Sequence, residues 1–121
     1  MVKNKTMVIG ASPKPERYAY KAVSLLGRYG HPVIALGIRP GKINDEEIIT
    51  DRPHFDDVHT VTLYVGAARQ PDYYDYILSL KPERIIFNPG TENSDFYGLA
   101  RQNNIKVVEN CTLVMLNSGI F

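Results

Sequence analysis

Gly10, Ala11, Ser12, Lys14 and Arg17 stand together after an apolar run and before a stretch with helical spacing. Those residue types suit the holding of a phosphate. Small side chains at Gly10 and Ala11 let an anion approach the backbone, the Ser12 hydroxyl donates, and Lys14 and Arg17 neutralise charge. A helix beginning after them adds its unpaired N–H groups and the positive end of its dipole. Pro13 and Pro15 shape the turn. A second reading of the same residues is structural, with Ser12 serving only as a helix N-cap. The segment is not the dinucleotide fingerprint G-x-G-x-x-G, because Ser12 stands at the second glycine position and Pro15 at the third. The pattern points to a phosphate-bearing nucleotide and away from ordinary NAD.

Further along, residues 36–42 contain Arg39, Pro40 and Lys42 but no carboxylate. NAD sites place an acidic residue there to hold the ribose hydroxyls. Two cations instead suit an adenosine with an extra phosphate, as in NADP or coenzyme A; the alternative makes both solvated loop charges. Residues 65–71 begin with small side chains and include Arg69, which suits a phosphate contact or a surface position equally. Asn88 and Gly90 belong to an amide-proline-glycine turn that either completes a pocket or only turns the chain. Cys111 precedes a helix, where the dipole lowers a thiol pKa, yet a single cysteine also suits a small buried hydrophobe. His31, His54 and His59 share no metal-ligand spacing and are expected at the surface. Tyr73, Tyr74 and Tyr76 are expected to pack in the core. No Ser-His-Asp set and no paired carboxylates stand out, so no catalytic residue and no metal ligand is assigned.

These loops need a scaffold, and the periodicity supplies one. Short apolar runs alternate with helical stretches, the signature of βαβ units and a parallel sheet. Strands are predicted at residues 6–10, 33–36, 48–50, 60–65, 84–87 and 106–109. Ala19, Ala22, Val23, Leu26 and Tyr29 make a helical stripe that ends at Gly30 and Pro32. Gln70-Pro71-Asp72 opens a second helix with inner residues Tyr73, Ile77 and Leu80. A third spans about 94–103 with Phe96, Leu99 and Ala100 inward, and a terminal helix begins at Asn110 or Thr112. The expected architecture is α/β: a doubly wound, Rossmann-like, three-layer single domain over residues 1–121. Its strand order is 3-2-1-4-5-6 with right-handed crossovers. Ligands of such sheets lie beyond the carboxyl ends of the strands, at the switch in strand order.

The 121 residues can bury a core. Fourteen basic against thirteen acidic residues leave a net charge of +1, so no global field attracts nucleic acid and an anion site must be built locally. No apolar stretch reaches the roughly 20 residues of a membrane span, the start lacks a signal-peptide h-region, and one cysteine forms no intrachain disulfide. A cytoplasmic protein with a small-molecule nucleotide ligand is expected. The sequence identifies no protein partner.

The ordered segments resemble the small CoA-binding family, stand-alone bacterial relatives of the nucleotide-binding domain of the succinyl-CoA synthetase alpha subunit. The carrying residues are Val8-Ile9-Gly10-Ala11-Ser12 with Arg17-Tyr18, Gly30-His31-Pro32-Val33-Ile34, Asn88-Pro89-Gly90-Thr91-Glu92-Asn93 and Val107-Val108-Glu109-Asn110-Cys111. The resemblance implies coenzyme A or an acyl-CoA as ligand. Its phosphates would lie at Gly10, Ser12 and Arg17, and its adenosine end near Arg39 and Pro40. Residues 37–44 depart from the commoner Asn-Pro pattern. The synthetases' partner domains and phosphorylated histidine loop have no counterpart, so the resemblance implies binding rather than a ligase reaction; the alternatives are a small NADP-dependent oxidoreductase and an interaction module that has lost nucleotide binding.

Overall fold

The structure, a computed structural model, describes residues 3–121. Its strands are β1 (Thr6–Ile9), β2 (Val33–Leu36), β3 (Lys42–Ile43), β4 (Glu46–Ile49), β5 (Thr60–Leu63), β6 (Arg84–Phe87) and β7 (Lys106–Glu109). They form one sheet in the order β3-β4-β2-β1-β5-β6-β7. The helices are α1 (Tyr18–Arg28), α2 (Tyr74–Leu80), α3 (Ser94–Gln102) and α4 (Thr112–Ser118), with a 3-10 segment at Ala67–Tyr73. The fold is α/β and Rossmann-like.

The six expected strands occur in the expected order, with one correction. A seventh, β3, pairs antiparallel with β4, Lys42 opposite Glu47 and Ile43 opposite Glu46. Asn44, at φ 54°, turns this hairpin, because asparagine tolerates the left-handed region better than most residues. Lys42 therefore lies on an edge strand rather than in a loop.

β1 and β5 are buried at every residue, as expected of strands covered on both faces. Alternation divides their side chains. Met7, Ile9, Val61, Leu63, Ile85 and Phe87 join Ile77 of α2 and Phe96 and Ala100 of α3. Val8 and Ala35 meet Ala19, Val23 and Leu26 of α1 and Leu116 of α4 on the other face. The α1 stripe matches its predicted positions except Tyr29, which is the C-cap.

Pro71 lies inside the 3-10 segment, and α2 begins only at Tyr74; a proline without an N–H cannot continue an α-helical ladder. Tyr73, Ile77 and Leu80 are buried as expected, and Leu99 is half-buried. Residues 50–59 cross from β4 to β5 without a helix. Arg52 stacks on the Tyr73 ring at 4.1 Å, and Tyr76 donates its hydroxyl to Pro53 O at 2.7 Å.

His31, expected at the surface, is buried. Its Nδ1 accepts the Asn4 N–H at 2.9 Å, and its ring lies 4.9 Å from Phe121. Burial, then the charges of Lys3 and Arg84, lower its pKa below the ordinary 6.5. The native state thus binds this proton more weakly than the unfolded chain does. Stability is full above pH 6.5 and falls as the pH drops below it. Urea denaturation from about pH 7.5 to about pH 5.5 measures the loss. His31→Gln is expected to be less stable at neutral pH and to lose less over that interval; an unchanged slope contradicts the assignment.

Candidate functional site

β1 parts from its neighbours at Gly10, which has φ +96° and would carry a Cβ 3.0 Å from Tyr64 O. The N–H groups of Gly10 and Ala11 both donate to Leu36 O at 2.9 Å. Those two donors are therefore spent inside the fold, while Gly10 and Ala11 still present little bulk to the crevice. The free donors lie further on. Arg17 is the N-cap of α1 and makes no side-chain cap bond. Lys21 N–H is bonded to Arg17 O, which leaves the N–H groups of Tyr18, Ala19 and Tyr20 without a partner inside the helix. Ser12 is not the N-cap. Its Oγ accepts the Lys14 N–H at 3.2 Å, and its own hydrogen remains to be donated.

The loop at 10–17 leans on the end of β2. A Cβ at Gly37 would lie 2.2 Å from Ala11 O, and one at Gly41 would lie 2.7 Å from the Pro13 Cβ. Close backbone approach thus explains why glycine stands at both positions.

Between these loops and the 3-10 segment opens a crevice of about 410 Å³ at the carboxyl ends of β1, β2 and β5. Of the predicted site residues, Gly10, Ala11, Ser12, Pro13, Lys14, Arg17, Tyr18, Arg39 and Arg69 line it. The lining holds four cations and no carboxylate. None of the four forms an ion pair among the described residues, whose ion pairs are His54 with Asp56 and His59 with Glu83.

Four predicted residues lie outside the lining. Pro40 is exposed beyond Arg39, and Lys42 is exposed on β3. Asn88 is buried beneath the crevice. Its Nδ2 donates to Thr62 Oγ1 at 2.6 Å and Leu63 O at 2.8 Å, and its Oδ1 accepts the Thr112 N–H at 2.9 Å. Gly90 turns the chain at φ +93°, with its N–H on Glu92 Oε1. Cys111 is half-buried at the N-cap of α4 and is also absent from the lining.

Ile38 and Val65 lie in loops that the sequence places at the crevice without singling them out, whereas Tyr64 was missed and Ala19 and Tyr73 were read only as core. Tyr64 follows β5 and shares the α1 side with Thr60 and Thr62, so period-2 alternation at a strand end was the available signal. The Tyr64 hydroxyl is buried beside Thr62 and Thr112, which bond each other at 2.7 Å. Burial, then the nearby Cys111, raises the Tyr64 pKa, so its phenol stays neutral. No group of three or more possible metal ligands occurs among the described residues, and no helix there is long and apolar enough to cross a membrane.

A family model described as CoA binding domain matches residues 4–117. Among solved structures, an uncharacterized protein is 45% identical with a TM-score of 0.97, each chain covered completely. A Thermus thermophilus protein is 19% identical with a TM-score of 0.83, over 98% of this chain and 91% of its own. A hypothetical protein from Pyrococcus horikoshii is 20% identical with a TM-score of 0.85, over 98% of this chain and 84% of its own. The last two show the fold alone. No curated protein matches.

Gly37→Ala forces the Ala11 carbonyl away and is expected to cost about 1–3 kcal/mol in chemical denaturation. Gly66→Ala meets nothing within 4 Å and is expected to stay within about 0.5 kcal/mol of the parent. Equal stabilities would remove the contact between the two loops as a constraint.

Proposed function

The chain belongs to the CoA binding domain family, and on that premise we propose that it binds coenzyme A or an acyl-CoA without catalysis of its own. The observation that carries this reading is the crevice lined by Lys14, Arg17, Arg39 and Arg69 with no carboxylate. Four unpaired cations on one concave surface repel one another, and a ligand with several phosphates relieves that repulsion. The pyrophosphate would take the Ser12 hydroxyl, the unpaired N–H groups at the start of α1, and the charges of Lys14 and Arg17. Arg39, on the loop after β2, would meet the extra phosphate of the adenosine end. Arg69 closes the facing wall. Tyr64, Val65 and Tyr73 also line the crevice and would give the pantetheine arm apolar surface to lie on. When bound, the coenzyme supplies a thiol or thioester; the residues around it hold and orient.

Isothermal titration with CoA, NADP, NAD and ATP tests the reading. CoA is expected to bind tightest, and preference for NADP or failure of all four to bind overturns it. Arg17→Ala is expected to weaken CoA about tenfold or more, because a charge-assisted bond contributes about 1.5–3 kcal/mol. An unchanged dissociation constant removes Arg17 from the site.

Dephospho-CoA is expected to bind more weakly than CoA. Arg39→Ala should narrow that difference, while Lys42→Ala on the exposed β3 edge should leave it intact. Narrowing by Lys42→Ala alone would transfer the role to Lys42.

A further inference from the structure

The exposed crest of α1 is basic along its length. Residues 17, 21, 24 and 28 follow the helical repeat on the side opposite the buried Ala19, Ala22, Val23 and Leu26. Lys21 and Arg28 on this crest are exposed, and no acidic residue occurs in the helix. Beyond the crest, a groove of about 300 Å³ runs between α1 and α4, lined by Lys21, Arg28, Leu25 and Leu113 among others. On the other side of the crest stands the β3–β4 hairpin, whose Asn44 Nδ2 donates to Ser24 Oγ at 3.1 Å. The hairpin is acidic: Asp45 and Glu46 are exposed, and Glu47 faces Lys42 across the strand pair. Among the described residues neither Lys21, Arg28, Asp45 nor Glu46 forms an ion pair. Two patches of opposite sign thus lie side by side, unneutralised, with the Ser24–Asn44 contact between them.

Such a pair is self-complementary. A two-fold axis over the Ser24–Asn44 contact carries the acidic hairpin of one copy onto the basic crest and groove of the other. It makes the reciprocal contact at the same time, as an isologous interface requires. Leu25 and Leu113, both half-buried in the groove, give that contact an apolar component, since exposed ion pairs alone contribute little. We infer that this face joins two copies of the chain through the β3–β4 hairpin of each and the α1–α4 groove of the other. Lys21, Arg28, Asp45 and Glu46 lie outside the crevice lining, so the inference stands independently of the ligand.

Sedimentation velocity over a wide range of protein concentration tests it, at about 20 mM and about 500 mM salt. A dimer is expected at low salt, with a dissociation constant at least about tenfold higher at high salt. Two doubly substituted chains decide the geometry. Lys21→Glu with Arg28→Glu makes both patches acidic, and Asp45→Lys with Glu46→Lys makes both basic. Each alone is expected to sediment as a single chain, and their equimolar mixture as a heterodimer. A parent chain that stays single at every concentration overturns the inference. So does a dimer indifferent to these reversals, or a mixture that fails to associate.

Discussion

The carbonyl of Leu36 accepts two N–H groups, from Gly10 and Ala11, and this shared acceptor fixes the start of the loop that follows β1. From there the chain passes so close to β2 that Gly37 has no room for a Cβ against Ala11 O. Gly41 then accommodates Pro13. The loop is thereby held against the second strand instead of rising straight into a helix, and α1 begins only at Tyr18. The delay matters chemically. It brings Lys14 and Arg17 to the crevice wall and leaves the start of α1 without a side-chain cap. A serine or aspartate at position 17 would bond those N–H groups itself; an arginine cannot.

Charge is distributed unevenly on a nearly neutral chain. The net charge is +1, yet the crevice lining contains four basic and no acidic residues, and the acids lie elsewhere on the surface. Counting charges over the sequence therefore says little about the site, because the field that a ligand meets is set by the groups within about a Debye length of it. The proposed coenzyme fits this local field, and the unpaired cations carry an electrostatic cost that its phosphates would offset.

Much of the scaffold was legible because buried parallel strands and amphipathic helices write strong periodicities. The runs at β1, β2 and β6 and the stripe Ala19, Ala22, Val23, Leu26 needed no tertiary information. What escaped was set by contacts distant in sequence. A two-residue strand such as β3 has no period to read, and only its pairing with β4 creates it. His31 carries no sign of burial in its neighbours; the Asn4 N–H and the Phe121 ring supply it. At the site, residue types placed Ser12, Lys14, Arg17, Arg39 and Arg69 at the crevice, all on loops at strand ends. Asn88 sits at a strand end too, but its amide turns inward, a choice made by Thr62 and Thr112 rather than by anything nearby in sequence.

That inward turn has a physical consequence for binding. The Asn88 amide joins β5, β6 and the start of α4. Gln70 does the same on the other side, its Nε2 donating to Val65 O and Thr91 O and its Oε1 accepting from Asn93. Both amides are buried and bonded at oxygen and nitrogen alike, so their desolvation is compensated and the strand ends beneath the crevice are held in one arrangement. The floor is therefore formed before any ligand arrives. In the proposed complex, ordering would fall on Lys14, Arg17, Arg39 and Arg69, which are exposed and would lose side-chain freedom on closing around an anion. A site built this way would draw its selectivity from where rigid backbone places flexible charges.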